Sequence, residues 1–179
     1  MSSIGLKEAG DKAFFDKESA KASGKVICPV LEGTRPFLIE IQALVAPSFF
    51  QYPKRNATGY DNNRLAMLIA ILEKKAGLNL SGADIYLNIA GGLKINEPSA
   101  DLAVCAALIS SFKDIPIPYT QAFAGEVGLT GEVRAVANLQ GRINECARFG
   151  VEKFYTFYKD EKSDSVKLVN IKNITDLLI

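Results

Sequence analysis

The stretch Leu31-Glu32-Gly33-Thr34-Arg35-Pro36-Phe37-Leu38-Ile39-Glu40-Ile41-Gln42-Ala43-Leu44-Val45 decides the class of fold. Its second half alternates. Phe37, Ile39, Ile41, Ala43 and Val45 share one face of an extended chain, while Glu40 and Gln42 lie on the other. A strand patterned this way buries one face and leaves the other half exposed. Upstream, Val26 to Leu31 reads as a strand, and Glu32 to Pro36 reads as the turn that follows it.

Working outward, residues 47–60 read as a long loop that combines Phe49, Phe50 and Tyr52 with the basic pair Lys54-Arg55. Asp61 offers an N-cap. Leu65, Leu68, Ile69, Leu72 and Ala76 then recur at helical spacing until Gly77. Lys74 and Lys75 suit the negative end of that helix dipole. Asp84 to Ala90 alternates as a strand that Gly91-Gly92 breaks. A second helix follows Pro98, and Leu102, Val104, Cys105, Leu108, Ile109 and Phe112 make it apolar on most sides, hence buried. Residues 121–136 read as two strands around Leu129-Thr130-Gly131-Glu132. Asn138 caps a third helix, with Leu139, Ile143, Cys146 and Ala147 inward and Gly150 as its stop. Residues 153–158 and 166–171 read as further strands before a short final helix. Strands and helices mix without strict alternation, which favours a two-layer α/β (α+β) sandwich over a doubly wound sheet. Residues 1–24, with only Phe14 and Phe15 as anchors, read as a linker or arm, and order is expected from Lys25.

Several chemistries are excluded by what is missing. The chain contains no histidine, so it cannot build a Ser-His-Asp, Cys-His or histidine-containing zinc site. Cys28, Cys105 and Cys146 form no Cys-x-x-Cys pair, and the latter two sit on apolar helical faces, as buried free thiols do. No phosphate-cradling Gly-x-x-x-x-Gly-Lys-Ser/Thr occurs, so this domain is expected to hold neither a nucleotide nor a metal cofactor. Lys plus Arg number 21 against 20 Asp plus Glu, a net charge of +1. A strongly basic nucleic-acid footprint is therefore absent, and any DNA contact must come from a local patch. No apolar run approaches the ~18 residues of a membrane span. The N-terminus lacks a secretory pattern, so a cytoplasmic location away from membranes is expected.

Four segments carry a family resemblance. They are Leu31 to Val45, Asn63 to Lys74, Glu97-Pro98-Ser99-Ala100-Asp101-Leu102-Ala103-Val104, and Gly125-Glu126-Val127-Gly128-Leu129-Thr130-Gly131-Glu132-Val133-Arg134. Together they resemble, in order, the C-terminal domain of the RadA (Sms) family of bacterial DNA-repair proteins. That domain is similar to the Lon-protease proteolytic domain, of the ribosomal-protein-S5 domain-2 type. The resemblance implies a Lon-like domain over residues 25–179, following a RecA-like ATPase core that lies outside this sequence. ATP and magnesium would belong to that core.

Lon-type peptidases use a serine–lysine dyad. The serine sits in Gly-Pro-Ser-Ala-Gly at a helix start, and the lysine ends a downstream Thr-Gly-x-Val-x-x-x-Gly-Gly-Leu-Lys. A hydroxyl needs a neighbouring neutral amine to take its proton, and helix-start amides then stabilise the oxyanion. By this resemblance Ser99 falls on the serine, and Gln140 falls where the lysine should be. Glu97 and Asp101 replace the flanking glycines. A glutamine amide accepts no proton near neutrality, and the Arg142 guanidinium stays protonated. Losing the base of a serine enzyme costs about 10⁶ in rate, roughly 8 kcal/mol. A vestigial site is therefore expected, with Ser99 serving as an ordinary helix-start residue that caps backbone N–H groups.

The same resemblance implies a non-catalytic scaffold in a hexameric, ATP-driven branch-migration helicase of DNA recombination. Weak, sequence-independent contact with DNA is expected, and recombination proteins are expected as further partners. Lys54, Arg55 and Arg64, then Arg134 and Arg142, are the candidate phosphate contacts. Phe49, Phe50 and Tyr52 are expected to pack or dock, with base stacking as the other use. Two other readings remain open here, an active Ser-Lys peptidase and the Lon-like interaction domain of magnesium-chelatase-type competence proteins.

Overall fold

A computed structural model describes residues 21–177. The expected arm over residues 1–24 therefore lies mostly outside the described residues. Its last two residues are docked. Ser23 donates to Asp114 at 2.7 Å, and the Gly24 amide donates to the Ser110 hydroxyl at 2.8 Å. Gly24 has φ 83°, and a Cβ there would stand 2.2 Å from the Ala43 carbonyl oxygen, so only glycine fits this approach.

Strand β1 (Lys25–Glu32) pairs antiparallel with β2 (Arg35–Pro47). Because Glu32 lies opposite Arg35, the connection is a tight turn at Gly33-Thr34, shorter than the five-residue turn expected, with Gly33 at φ 61°. Residues 47–60 are not wholly loop. Arg55–Thr58 forms β3, an edge strand that runs parallel to β4 (Ala83–Ile89). Further along come β5 (Gln121–Phe123), β8 (Lys153–Thr156) and β9 (Lys167–Asn170). The seven-stranded sheet has the order β3-β4-β2-β1-β5-β8-β9. It is antiparallel at β1/β2 and β2/β4 and parallel at every other pair. Residues 121–136, expected as two strands, divide into β5 and a small separate hairpin of β6 (Glu126–Val127) and β7 (Val133–Arg134).

The helical layer rests on local chemistry. Helix α1 (Asn62–Ala76) begins where the Asp61 carboxylate accepts from the Arg64 amide at 2.7 Å and ends at Gly77, φ 70°. Helix α2 (Asp101–Lys113) follows a 3₁₀ turn at Pro98–Ala100 and is buried from Asp101 through Ser110. Helix α3 (Leu139–Arg148) starts where the Asn138 side chain accepts from the Gly141 amide. Helix α2 packs on β1 and β2, α1 on α2 and β3, and α3 on β1 and β2. The chain ends in a 3₁₀ turn at Ile174–Leu177. This is a two-layer α/β sandwich, as the mixture of strands and helices predicted. Among the described residues no helix is long and apolar enough to cross a membrane.

Candidate functional site

The start of α2, the end of β1 and the start of α3 converge on Ser99. Its hydroxyl donates to Glu97 Oε1 and accepts from Arg142 Nη1 at 3.0 Å. Arg142 is 1% exposed, and each of its three nitrogens is engaged. Nε donates to the Ala137 carbonyl at 2.8 Å, Nη1 also to the Pro29 carbonyl at 2.7 Å, and Nη2 to Glu97 Oε1. The second Glu97 oxygen accepts from the Leu31 amide at 2.7 Å. One ion pair thus ties three separate parts of the chain around a single hydroxyl.

Three expectations are corrected here. Gln140 does not face Ser99. It is exposed and donates to Asn144, one turn along α3, at 2.9 Å. Arg142 occupies the place at Ser99 that the motif alignment gave to Gln140. Nor does Ser99 cap a helix, for Ala100 stands at the N-cap of α2 without a side-chain bond. Finally, the hydroxyl does have a proton acceptor beside it, the Glu97 carboxylate, although that carboxylate is already committed to Arg142 and to the Leu31 amide. No lysine hydrogen-bonds Ser99 among the described residues.

An oxyanion would find the nearby helix-start amides occupied. The amide of Ala100 donates to Glu97 O, that of Asp101 to Pro98 O, and that of Leu102 to Gly125 O at 3.0 Å.

A second buried cluster adjoins the first. The Asp101 side chain is 0% exposed and accepts four hydrogen bonds. Tyr60 Oη and Arg64 Nε reach Oδ1 at 2.6 Å each, and Arg64 Nη2 and the Val127 amide reach Oδ2. Burial, and then the Asp101 charge, push the Tyr60 phenol far above its ordinary range, so it remains a donor. The Asp101 hydrogen bond likewise raises Arg64. The sequence reading missed Asp101, Tyr60 and the Glu97–Arg142 pair. The available signal was the replacement of two glycines by acids, each of which requires a cation when buried.

The remaining basic candidates separate. Arg64 and Arg142 are corrected: the first spends its charge on Asp101, and the second lies in the interior, so neither presents a free cation to DNA. Arg134 pairs with Glu132 at 2.9 Å and Glu126 at 3.7 Å. The Glu132 carboxyl is held down at about 2, chiefly by the Thr130 hydroxyl, with Arg134 contributing. Lys54 is exposed, with its Nζ 4.4 Å from the centre of the Phe50 ring. Arg55 is exposed and reaches the Leu80 carbonyl through Nη2 at 2.9 Å. The cysteines Cys28, Cys105 and Cys146 are free and buried, and burial raises all three thiols.

A serine in the turn that leads into a buried helix, set against a mixed sheet, is the layout expected of a Lon-type proteolytic domain. Residues 73–173 match the Lon protease (S16) C-terminal proteolytic domain, and the chain belongs to that family. It is 41% identical to the DNA repair protein RadA of Bacillus subtilis over 92% of its own length and 37% of that protein's. The corresponding figures for the DNA repair protein RadA of Listeria monocytogenes are 40%, 99% and 40%, and for that of Streptococcus pneumoniae 47%, 87% and 37%. Within the family the chain is of the type found as the C-terminal Lon-like domain of RadA. It spans well under half the length of these relatives.

Proposed function

We propose that this domain is a non-catalytic scaffold of a RadA-type DNA-repair ATPase, in which it supports a hexameric ring and holds DNA without reading its sequence. The observation that carries the reading is the arginine seated on the Ser99 oxygen. A guanidinium stays protonated at any physiological pH and cannot serve as the base of a serine nucleophile. The carboxylate that accepts the Ser99 proton is neutralised by the same guanidinium, and the neighbouring amides are spent. ATP and magnesium belong, in this reading, to the ATPase core of the longer protein, whose helicase activity the domain serves. Closed rings use heterologous interfaces, so two different surfaces of the domain would meet around the six-fold axis.

The test is a protease assay on unfolded casein and fluorogenic peptides, run beside Ser99→Ala, with a fluorophosphonate probe for the hydroxyl. The expected result is no labelling and no cleavage that depends on Ser99. A turnover abolished by Ser99→Ala overturns the scaffold reading in favour of a peptidase. Light scattering across protein concentration checks the ring. Mass approaching six subunits supports assembly through this domain, and a strict monomer assigns assembly to the core.

A further inference from the structure

One face of the sheet is left uncovered across β2, β4 and β3, and it is not an ordinary polar surface. The register sets its side chains in two rows. Leu44, Tyr86 and Asn56 lie side by side in one, and Gln42, Asn88 and Thr58 in the next. Leu44 is 57% and Tyr86 40% exposed, and Asn56, Thr58 and Asn88 are exposed as well. These six side chains line a depression of about 240 Å³. At the end of the same strands, the connection from β2 to β3 carries Phe49, 96% exposed, with Phe50, Tyr52 and Lys54.

We propose that this face, with the aromatic connection at its edge, binds single-stranded nucleic acid by stacking unpaired bases. The chemistry on the face is of three kinds. Tyr86, Phe49 and Tyr52 offer π faces, and any base can stack on them regardless of identity. The Asn56 amide can both donate and accept at a base edge, and Asn88, which gives one N–H to the Gln42 oxygen at 3.3 Å, keeps its own oxygen and a second N–H for the same use. Lys54, and Lys25 opposite Gln42 in the neighbouring strand, supply positive charge for the backbone. The two nearby carboxylates are turned to donors within the protein. Asp84 is buried and accepts from the Lys54 amide, and Glu40 accepts from Gln42 and Tyr119. Side chains two apart on one strand face stand about 6.6 Å apart, a spacing that an extended strand of nucleotides can follow. A duplex keeps its bases stacked on one another and offers these rings nothing. A second protein subunit fits less well, because four of the six central side chains are amides or a hydroxyl, whereas the core of a stable interface is mostly apolar.

The inference rests on the proposed DNA role but shares only Lys54 with the exposed candidate phosphate contacts Lys54, Arg55 and Arg134, so single-strand and duplex binding can fail separately. The full chain is titrated, by fluorescence anisotropy at about 50 mM salt, with labelled oligo-dT and with a duplex of equal length. Tyr86→Ala and Phe49→Ala should each weaken oligo-dT binding by about fivefold or more. Duplex binding should stay unchanged, and Tyr86→Phe should restore the single-strand affinity. Duplex binding without oligo-dT binding overturns this inference alone, and loss of neither ligand in Tyr86→Ala overturns it equally. A concentration-dependent dimer abolished by Leu44→Ser with Tyr86→Ser would assign the face to a second copy of the chain.

Discussion

Arg142 Nη1 lies 3.0 Å from Ser99 Oγ and 2.7 Å from the carbonyl oxygen of Pro29. The guanidinium therefore bridges a would-be nucleophile and a main-chain oxygen of β1, while its far nitrogen meets Glu97. A charge this deep persists only because its partner and its hydrogen bonds come with it. Whatever else the domain does, this group holds the α2 start, β1 and α3 together.

Breaking that pair from either side should cost the fold heavily. Glu97→Ala leaves a cation stranded in the interior, and Arg142→Met strands the Pro29 and Ala137 carbonyls beside a carboxylate. We expect each to lower unfolding free energy by about 3–5 kcal/mol, as removal of one member of a buried pair does. The double variant Glu97→Ala with Arg142→Met should fall well short of the sum of the singles, since neither charge is then left without its partner. Urea unfolding of the four proteins reads this directly. A loss under about 1 kcal/mol for Arg142→Met would mean that the pair is incidental.

The same reasoning recasts Arg64. It donates through Nε and Nη2 to Asp101, whose side chain is wholly buried. Arg64→Ala should therefore act on stability, by about 3 kcal/mol or more. Among molecules that remain folded, the salt dependence of duplex binding should not change. Thermal melts and a salt titration of the same sample separate the two effects. A reduced salt slope in folded Arg64→Ala would return this residue to the DNA surface.

How much of this was legible in the sequence depends on whether a residue's role is local. The ends of α1 were, because Asp61 bonds an amide three residues on and Gly77 takes a left-handed conformation that needs no partner elsewhere. Strand β3 was not. Arg55-Asn56-Ala57-Thr58 buries only Ala57 and shows no apolar alternation, and it is a strand solely because β4 lies beside it. The Ser99 site was legible in position but not in partner. Motif spacing pointed to Gln140, yet two helical residues are separated by about 200° around the axis, so Arg142 and Gln140 look in opposite directions. Tyr60 and Asp101, 41 positions apart, meet only through tertiary packing.

The three buried thiols give the domain a predictable alkaline limit. In the unfolded chain a cysteine titrates near 8.5, while burial holds Cys28, Cys105 and Cys146 protonated to higher pH in the fold. Above about pH 8.5 the folded state therefore binds more protons than the unfolded state, and stability falls as pH rises. The slope is up to about 1.4 kcal/mol per pH unit for each thiol. Tyr60, also raised by burial, joins near pH 10, where an unfolded tyrosine titrates. Urea unfolding under reducing conditions between about pH 7 and 10 should show this decline. The variant with all three cysteines changed to alanine should show it flattened below pH 10. An unchanged slope in that variant would refer the effect to other groups.

The exposed cations make a sharper claim about DNA. Lys54 and Arg55 have no carboxylate partner among the ion pairs of the described residues, whereas Arg134 is balanced by Glu132 and Glu126. A cation already neutralised in the free protein releases no counterion when a phosphate arrives. Plotted as log affinity against log salt, duplex binding should lose about one unit of slope in Lys54→Ala and again in Arg55→Ala. In Arg134→Ala the slope should hold, because no phosphate contact is removed. All four residues just compared at Lys54, Arg55, Arg134 and Glu132 lie on exposed or half-exposed surface, so folding should not interfere with the reading. Equal slopes in Lys54→Ala and the parent chain would take the β3 edge out of the duplex contact. A slope lost in Arg134→Ala instead would move that contact to the β6/β7 hairpin.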